Sequence, residues 1–225
     1  MRLCRAITGL LLLCITPLRA AEVVDRIVAT VNGRAILESD VDDEIRYESL
    51  MSSAAERKLA PTDSKAALDR LVDRELLNEQ SSTVEYVQTT ADEIDKEVNQ
   101  IKSDYLNGLA MSWTDVLTKY GFTESEVRER IAQQLNQLRL IDAHLRPSVQ
   151  VDQAAIEAYY NGEFLPELRR SNAAPMPLQE AAAKIRELLI QQSINAGLTV
   201  WLEALHSQAE IRFLPPTSST ADQRQ

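Results

Sequence analysis

The chain has 225 residues and a formal net charge of −10, from 34 acidic and 24 basic side chains. Such a surface repels the phosphates of nucleic acids and the head groups of anionic lipids, so no nucleic acid partner is expected. The length fits one or two domains with a hydrophobic core.

The first 20 residues have the features of an export signal. Arg2 and Arg5 give a basic start, residues 6–15 form an apolar run, and Ala20 suits the position before a signal peptidase cut. The run is shorter than the roughly 20 residues that span a bilayer. We predict a cleaved signal peptide over residues 1–20 and no stable membrane insertion afterwards. An uncleaved anchor is the alternative.

Both cysteines, Cys4 and Cys14, lie inside this signal. Residues 21–225 therefore need no disulfide, which suits an oxidising compartment. Removal of the signal would leave 205 residues with 21 basic and 34 acidic side chains, a net charge of −13. The periplasm and the cell exterior are the two destinations that the sequence leaves open.

The exported part begins with a predicted β-hairpin. Residues that favour strands flank Asn32-Gly33, and this dipeptide suits a type I′ turn because both of its central positions need a positive φ. Directly after the hairpin, Ser39 is expected to cap a helix, with Asp42 completing a capping box.

The middle of the chain is predicted to be mainly helical. Pro61-Thr62-Asp63 opens a second helix, and residues 84–87 form a short extended piece. A third helix carries apolar residues at the helical period, namely Ile94, Val98, Ile101 and Tyr105. A break at Asn107-Gly108 follows it.

Local signals mark the next helices. Ser112 and Gly121 bound a short helix, and Thr123 with Glu126 forms a capping box at the start of a long one. Pro147 ends the long helix. The helix after Asp152 is expected to end at Gly162.

The C-terminal part is predicted to be a linker over residues 163–177, clearest over 169–177, then a helix and a strand within 178–214. The strand is expected to join the hairpin in a small three-stranded sheet. Residues 21–214, with an N-terminal part 21–162, would then form one domain that is mainly α with a small β-sheet. The polar tail 215–225 is expected to be disordered.

The sequence contains none of the common catalytic or nucleotide-binding motifs. His144 and His206 lie near predicted helix ends, where a histidine meets the negative end of the helix dipole favourably. A Ser-His-Asp site around His206 and Ser207 is not required by any spacing. We expect no catalytic residue, no metal site and no cofactor.

Four segments resemble one family. Residues 25–45, DRIVATVNGRAILESDVDDEI, are similar to the opening of the SurA-type N-terminal chaperone domain, in which a valine-rich strand, a tight turn and an ESDV-like helix start follow one another. Residues 68–80 and 122–142 resemble its later helices. Residues 151–160, VDQAAIEAYY, resemble the segment that leads into a parvulin prolyl isomerase module in relatives.

This chain departs from many relatives at that point. Only residues 161–177 separate the AYY-like segment from the last helix, whereas a domain needs at least about 50 residues. The resemblance thus implies a mainly helical domain of the SurA and trigger-factor type without isomerase activity. It implies an ATP-independent periplasmic chaperone for unfolded exported or outer-membrane polypeptides.

Two alternatives stay open: a dedicated accessory subunit of an export or envelope-assembly system, and a residual prolyl isomerase. A homodimer is also left open. For polypeptide binding we predict a cleft between the hairpin-and-helix core and the helical lobe from Thr90 to Tyr120. The expected contacts are Leu50, Met51, Tyr105, Leu109, Met111 and Trp113. Met and aromatic side chains suit a tolerant groove, although core packing explains the same residues.

Overall fold

The computed structural model describes residues 25–54, 63–106, 111–172 and 174–214. The predicted signal peptide and the C-terminal tail lie outside these residues. The strands are β1 (Ile27–Val31), β2 (Arg34–Leu37) and β3 (Ile211–Phe213). The helices are α1 (Glu38–Ala54), α2 (Ser64–Gln80), α3 (Ala91–Leu106), α4 (Trp113–Tyr120), α5 (Glu124–Leu145), α6 (Gln153–Tyr159), α7 (Leu165–Arg170) and α8 (Leu178–Gln208).

The three strands form one antiparallel sheet in the order β2-β1-β3. Asn32 and Gly33 have φ values of 48° and 88°, as a type I′ turn requires. β3 pairs with β1 and places Phe213 opposite Ala29, and Leu214 N donates to Val28 O at 2.9 Å. The prediction that the last strand completes the first hairpin is confirmed, and so is the mainly helical fold class.

Several helix boundaries also match the local sequence signals. Asp63 caps α2, Ser112 caps α4, and Thr123 caps α5. Gly121 ends α4 in the left-handed conformation, with φ 74°. These boundaries are predictable because each depends on residues within one turn of the helix end.

The expected cap at Ser39 is wrong. α1 begins one residue earlier, at Glu38, and the Ser39 side chain donates a hydrogen bond back to Asp25. The carboxylate of Asp40 instead accepts from Leu37 N at 2.8 Å. The helix start is thereby tied to the residues that precede β1.

The expected helix end at Gly162 is also wrong. Helical backbone continues through a π-helical turn, Tyr160–Phe164, and then through α7. The Tyr160 hydroxyl donates to Met176 O at 2.7 Å, and its ring stacks on Phe164. These contacts hold the turn against the start of α8, so helix occupies the first part of the predicted linker.

The apolar side chains form three buried clusters. The first packs the sheet against α2, the C-terminal part of α5 and α8. The second joins α1, α3, α4 and the N-terminal half of α5. The third is smaller and lies between α6, the π-helical turn and the N-terminal half of α8. α5 therefore runs from one main cluster to the other, and α8 runs from the small cluster back to the sheet.

Candidate functional site

The structure places most of the predicted contact residues in the second cluster. Leu50 is fully buried, and Tyr105 and Trp113 are each only 8% exposed. The rings of Tyr105 and Trp113 meet edge to face, with centroids 6.3 Å apart. These three residues therefore serve as core side chains in this conformation and do not line an open surface.

The other predicted contacts lie at the margin of that cluster or beyond it. Met51 is half-buried against the second cluster, and Met111 is 42% exposed. Leu109 lies outside the described residues. The predicted set is thus not brought together as one accessible groove.

A cleft does separate α1 and α2 from α5, but its walls are polar. Glu44, which is 3% exposed, accepts from Arg74 at 2.7 Å and from Arg130 at 3.1 Å. Cavities of about 330 and 300 Å³ share Arg74, Arg130 and Gln133 in their walls. An apolar guest here would remove charged groups from water without offering partners, which is unfavourable.

A larger and more apolar groove, of about 710 Å³, lies on another side of α5. Its walls come from α5, from α8 and from the connection between α2 and α3. The lining residues are Tyr86, Val87, Leu135, Leu138, Arg139, Ile141, Asp142, Ala143, Gln191, Ile194, Asn195 and Leu198. We call it the α5–α8 groove.

Two large apolar side chains of this groove are open to solvent. Val87 is 77% exposed and Leu138 is 56% exposed, whereas Ile141 and Ile194 are buried at its floor. Exposed apolar residues that share one concave surface are typical of a binding site, while scattered ones are not informative. The groove thus combines a fixed apolar floor with an accessible rim.

The wall from the α2–α3 connection is held by polar side chains of α5. We call residues 84–90 the strap. Asn136 Oδ1 accepts from Thr89 N at 2.7 Å, and Arg139 Nη1 donates to the carbonyl oxygens of Val87 and Gln88 at 3.0 and 2.9 Å. Arg139 also pairs with Glu93. These contacts position the strap without covering the Val87 side chain.

The hydrogen bonds at Glu93 also fix the start of α3. Thr90 N and the Thr90 hydroxyl both donate to the Glu93 carboxylate, at 2.8 and 2.9 Å. These bonds, with a smaller contribution from Arg139, lower the pKa of Glu93 below 4.5. The carboxylate therefore stays charged at neutral pH and keeps the end of the strap anchored.

Neither histidine forms a catalytic arrangement with the groups around it. His144 stacks on Trp201, with ring centroids 3.9 Å apart. His206 Nε2 lies 2.6 Å from Asp73 Oδ1, but the Ser207 hydroxyl donates to Ala204 O within its own helix. Over the described ranges, no group of His, Cys, Asp and Glu side chains could hold a metal ion. The same ranges contain no helix long and apolar enough to cross a membrane.

The fold is that of a mainly helical protein in which a small sheet joins the two ends of the described chain and an apolar groove lies between α5 and α8. The chain belongs to the family of SurA-like N-terminal domains, whose model matches residues 7–141. This match confirms the resemblance read from the sequence, and it includes β1, β2 and most of α5. No curated protein matches the sequence.

Solved structures share the fold. One similar chain comes from work on the virulence factor PEB4 and the periplasmic protein Cj1289, described as two structurally related SurA-like chaperones of Campylobacter jejuni. The identity is 9% and the TM-score is 0.50, with 84% of this chain and 99% of that chain covered. At this identity the likeness establishes the fold alone.

Proposed function

We propose that this protein is an ATP-independent periplasmic chaperone that holds unfolded exported polypeptides, outer-membrane proteins among them, in the α5–α8 groove. The observation that carries the proposal is an open apolar groove with Val87 and Leu138 exposed at its rim, in a chain of the SurA-like family. The predicted signal over residues 1–20 supports the periplasm, as does the description of Cj1289, one of the two related chaperones of that work, as periplasmic.

The groove suits weak and reversible binding of many sequences. Its floor offers apolar contact through Ile141, Ile194 and Leu198, and its polar lining is sparse, with Arg139 already engaged by the strap. Few exacting polar contacts mean little discrimination between clients. Ordering of a flexible client opposes the apolar contribution, so affinity stays moderate and release needs no energy source.

We also propose that the protein does not catalyse prolyl isomerisation. The stretch where relatives insert a parvulin module is short, and the π-helical turn and α7 occupy it here. Its aromatic side chains, Tyr160 and Phe164, pack against the third cluster. A proline-peptide assay should therefore give the uncatalysed rate with the same preparation that protects a client.

The groove can be tested with the exported chain and an unfolded outer-membrane protein. Replacement of Val87 and Leu138 by serine removes both exposed apolar side chains of the rim. Each lost contact is worth about 1 kcal/mol, so client binding should weaken about tenfold or more. Light scattering would report the loss of aggregation suppression, and fluorescence anisotropy would report the affinity.

Val200→Ser is the matched control, because Val200 is 66% exposed but does not line the groove. This variant should suppress aggregation like the unchanged protein. Equal suppression by the double variant and the control would reject the groove as the client site. Protection of one client, with none of several unrelated ones, would instead favour a dedicated accessory subunit.

A further inference from the structure

The strap has the side-chain pattern of a β-strand but no strand partner in the part of the chain that the structure describes. Val84 and Tyr86 turn toward the first cluster, while Glu85 and Val87 are exposed. Such alternation is typical of extended backbone. It agrees with the extended piece predicted over residues 84–87, which stands next to the apolar floor of the groove.

The main-chain donors of the strap are unused. Within the described residues, the N–H groups of residues 84–88 form no hydrogen bond to another residue. The amides on either side are used, since Thr83 N donates to Gln80 O and Thr89 N donates to Asn136. Unpaired amides that face one edge of extended backbone, at every second residue, are a template for another strand.

Side chains of α5 hold this template in place. Arg139 binds the carbonyl oxygens of Val87 and Gln88 and pairs with Glu93, while Asn136 holds Thr89. These bonds hold the strap in place and leave its own N–H groups unpaired. Because the strap is ordered before a guest arrives, less conformational entropy is lost on pairing.

We infer that a polypeptide in the α5–α8 groove binds as an added β-strand along the strap, with its carbonyl groups accepting from the strap N–H groups. The inference rests on the proposed function and names its binding mode. The ligand class is an extended segment with apolar side chains at alternate positions, directed to the groove floor. Main-chain hydrogen bonds are the same for any sequence, so binding through them selects little between clients.

The edge of the sheet at β3 is a weaker candidate for the same role. β3 is only three residues long, and Leu214 is followed by Pro215 and Pro216, which have no N–H group. Phe213 is exposed, but it does not line the α5–α8 groove. The strap therefore offers both a main-chain edge and an apolar floor, which β3 does not.

The test compares two short fluorescent peptides of alternating valine and threonine, one of them N-methylated at several residues along each of its two edges. Both carry the same side chains, but the methyl groups prevent the second peptide from pairing with a strand in either orientation. Loss of several main-chain hydrogen bonds should weaken its binding to the exported chain about tenfold. Amide hydrogen exchange of residues 84–88 should slow when the unmodified peptide binds.

Equal affinity of the two peptides, or unchanged exchange over residues 84–88, would overturn strand addition. If binding then still depended on Val87 and Leu138, the apolar groove would stand and only its mode of binding would be rejected. If binding depended neither on main-chain pairing nor on Val87 and Leu138, the proposed function itself would be rejected.

Arg139→Lys tests the positioning of the strap. Lysine keeps a positive charge beside Glu93 but cannot bind two carbonyl groups with a planar fork. Binding of the unmodified peptide should weaken about fivefold, and residues 84–88 should exchange faster in the free protein. Arg128→Lys, in an α5 ion pair with Asp95, is the control that should change neither quantity. Unchanged binding by Arg139→Lys would overturn the role of Arg139.

Discussion

At the scale of single residues, Glu44 is the charged side chain that the described part of the chain buries most fully. Its two oxygens bind one arginine from α2 and one from α5, Arg74 and Arg130. The Arg130 guanidinium also lies 5.1 Å from the ring centroid of Tyr47. Burial raises the pKa of Tyr47 to about 12, so its hydroxyl stays neutral beside this bridge. The polar cleft is thus a structural junction between the two main clusters.

Replacement of Glu44 by glutamine should destabilise the protein. The variant leaves two arginines facing a neutral amide, and loss of one partner of a buried charge pair costs about 3–5 kcal/mol. Because Arg74 and Arg130 are partly exposed, at 32% and 22% of their side chains, we expect about 2 kcal/mol. Urea unfolding measures this loss.

Asp69→Asn is its control, because the exposed pair of Asp69 with Lys65 should contribute at most about 0.5 kcal/mol. If Glu44→Gln lowered the free energy of unfolding no more than Asp69→Asn does, the bridge of Glu44 with Arg74 and Arg130 would not contribute to stability.

At the scale of elements, two helices begin with a capping box. In α4, Asp115 pairs reciprocally with Ser112, and in α5, Glu126 pairs with Thr123. Hydrogen bonds from the capping residues lower the pKa of both carboxyl groups below their usual values, 3.8 for aspartate and 4.5 for glutamate. The negative charge also suits the positive end of each helix.

Stability should therefore depend on pH in the acid range. A carboxyl group whose pKa is lowered by folding stabilises the folded state above its unfolded pKa, and this effect fades as the pH falls. Glu126→Gln should be less stable than the unchanged protein at pH 7, and this difference should shrink below about pH 4.5. Chemical unfolding at a series of pH values measures it.

Glu129→Gln, an exposed position further along α5, should lower stability less than Glu126→Gln at pH 7. If the free energies of unfolding of Glu126→Gln and the unchanged protein differed by the same amount at pH 7 and pH 3, that result would contradict an electrostatic role for this cap.

Whether a contact between two residues can be predicted from the sequence depends on how far apart they lie along the chain. Thr123 and Glu126 lie three residues apart, so their capping box is visible in the sequence. Arg139 and Val87 are 52 residues apart, and no local sequence pattern predicts the hydrogen bond from the Arg139 side chain to the Val87 carbonyl oxygen. The predicted helix end at Gly162 was wrong because glycine permits a helix to end but does not require it. Here the contacts of Tyr160 and Phe164 stabilise helical backbone beyond Gly162.

The same limit explains why the sequence does not show which apolar side chains are exposed. An apolar stripe shows which helix face avoids water, but it does not show which neighbour covers each position. Trp113, at a helix start beside a break, looked accessible yet packs against Tyr105. Leu138 of α5 has the same apolar character as its buried neighbour Ile141, yet it stays exposed because the groove opens beside it. Only the packed structure shows which of these apolar side chains is buried and which is exposed.

At the scale of the whole molecule, the sheet joins the two ends of the described chain. Asn32 N donates to Glu210 O at 2.9 Å, and Glu210 N donates to Asn32 Oδ1 at 2.8 Å. The Asn32 amide also donates to Glu79 Oε2 on α2 at 2.6 Å. The sequence identifies Asn32 as a turn residue, whereas the structure adds a second role that spans 178 residues.

Replacement of Asn32 separates these two roles. Asn32→Gly keeps the turn, since glycine tolerates φ 48°, but it removes both side-chain hydrogen bonds and should cost about 1–2 kcal/mol of unfolding free energy. Asn32→Ala loses the same bonds and adds about 1 kcal/mol for the left-handed backbone. Urea unfolding gives both values, and faster amide exchange in β3 would show that the chain ends separate first. If glycine left stability and exchange unchanged while alanine did not, Asn32 would serve the turn alone and the ends would be held by strand pairing.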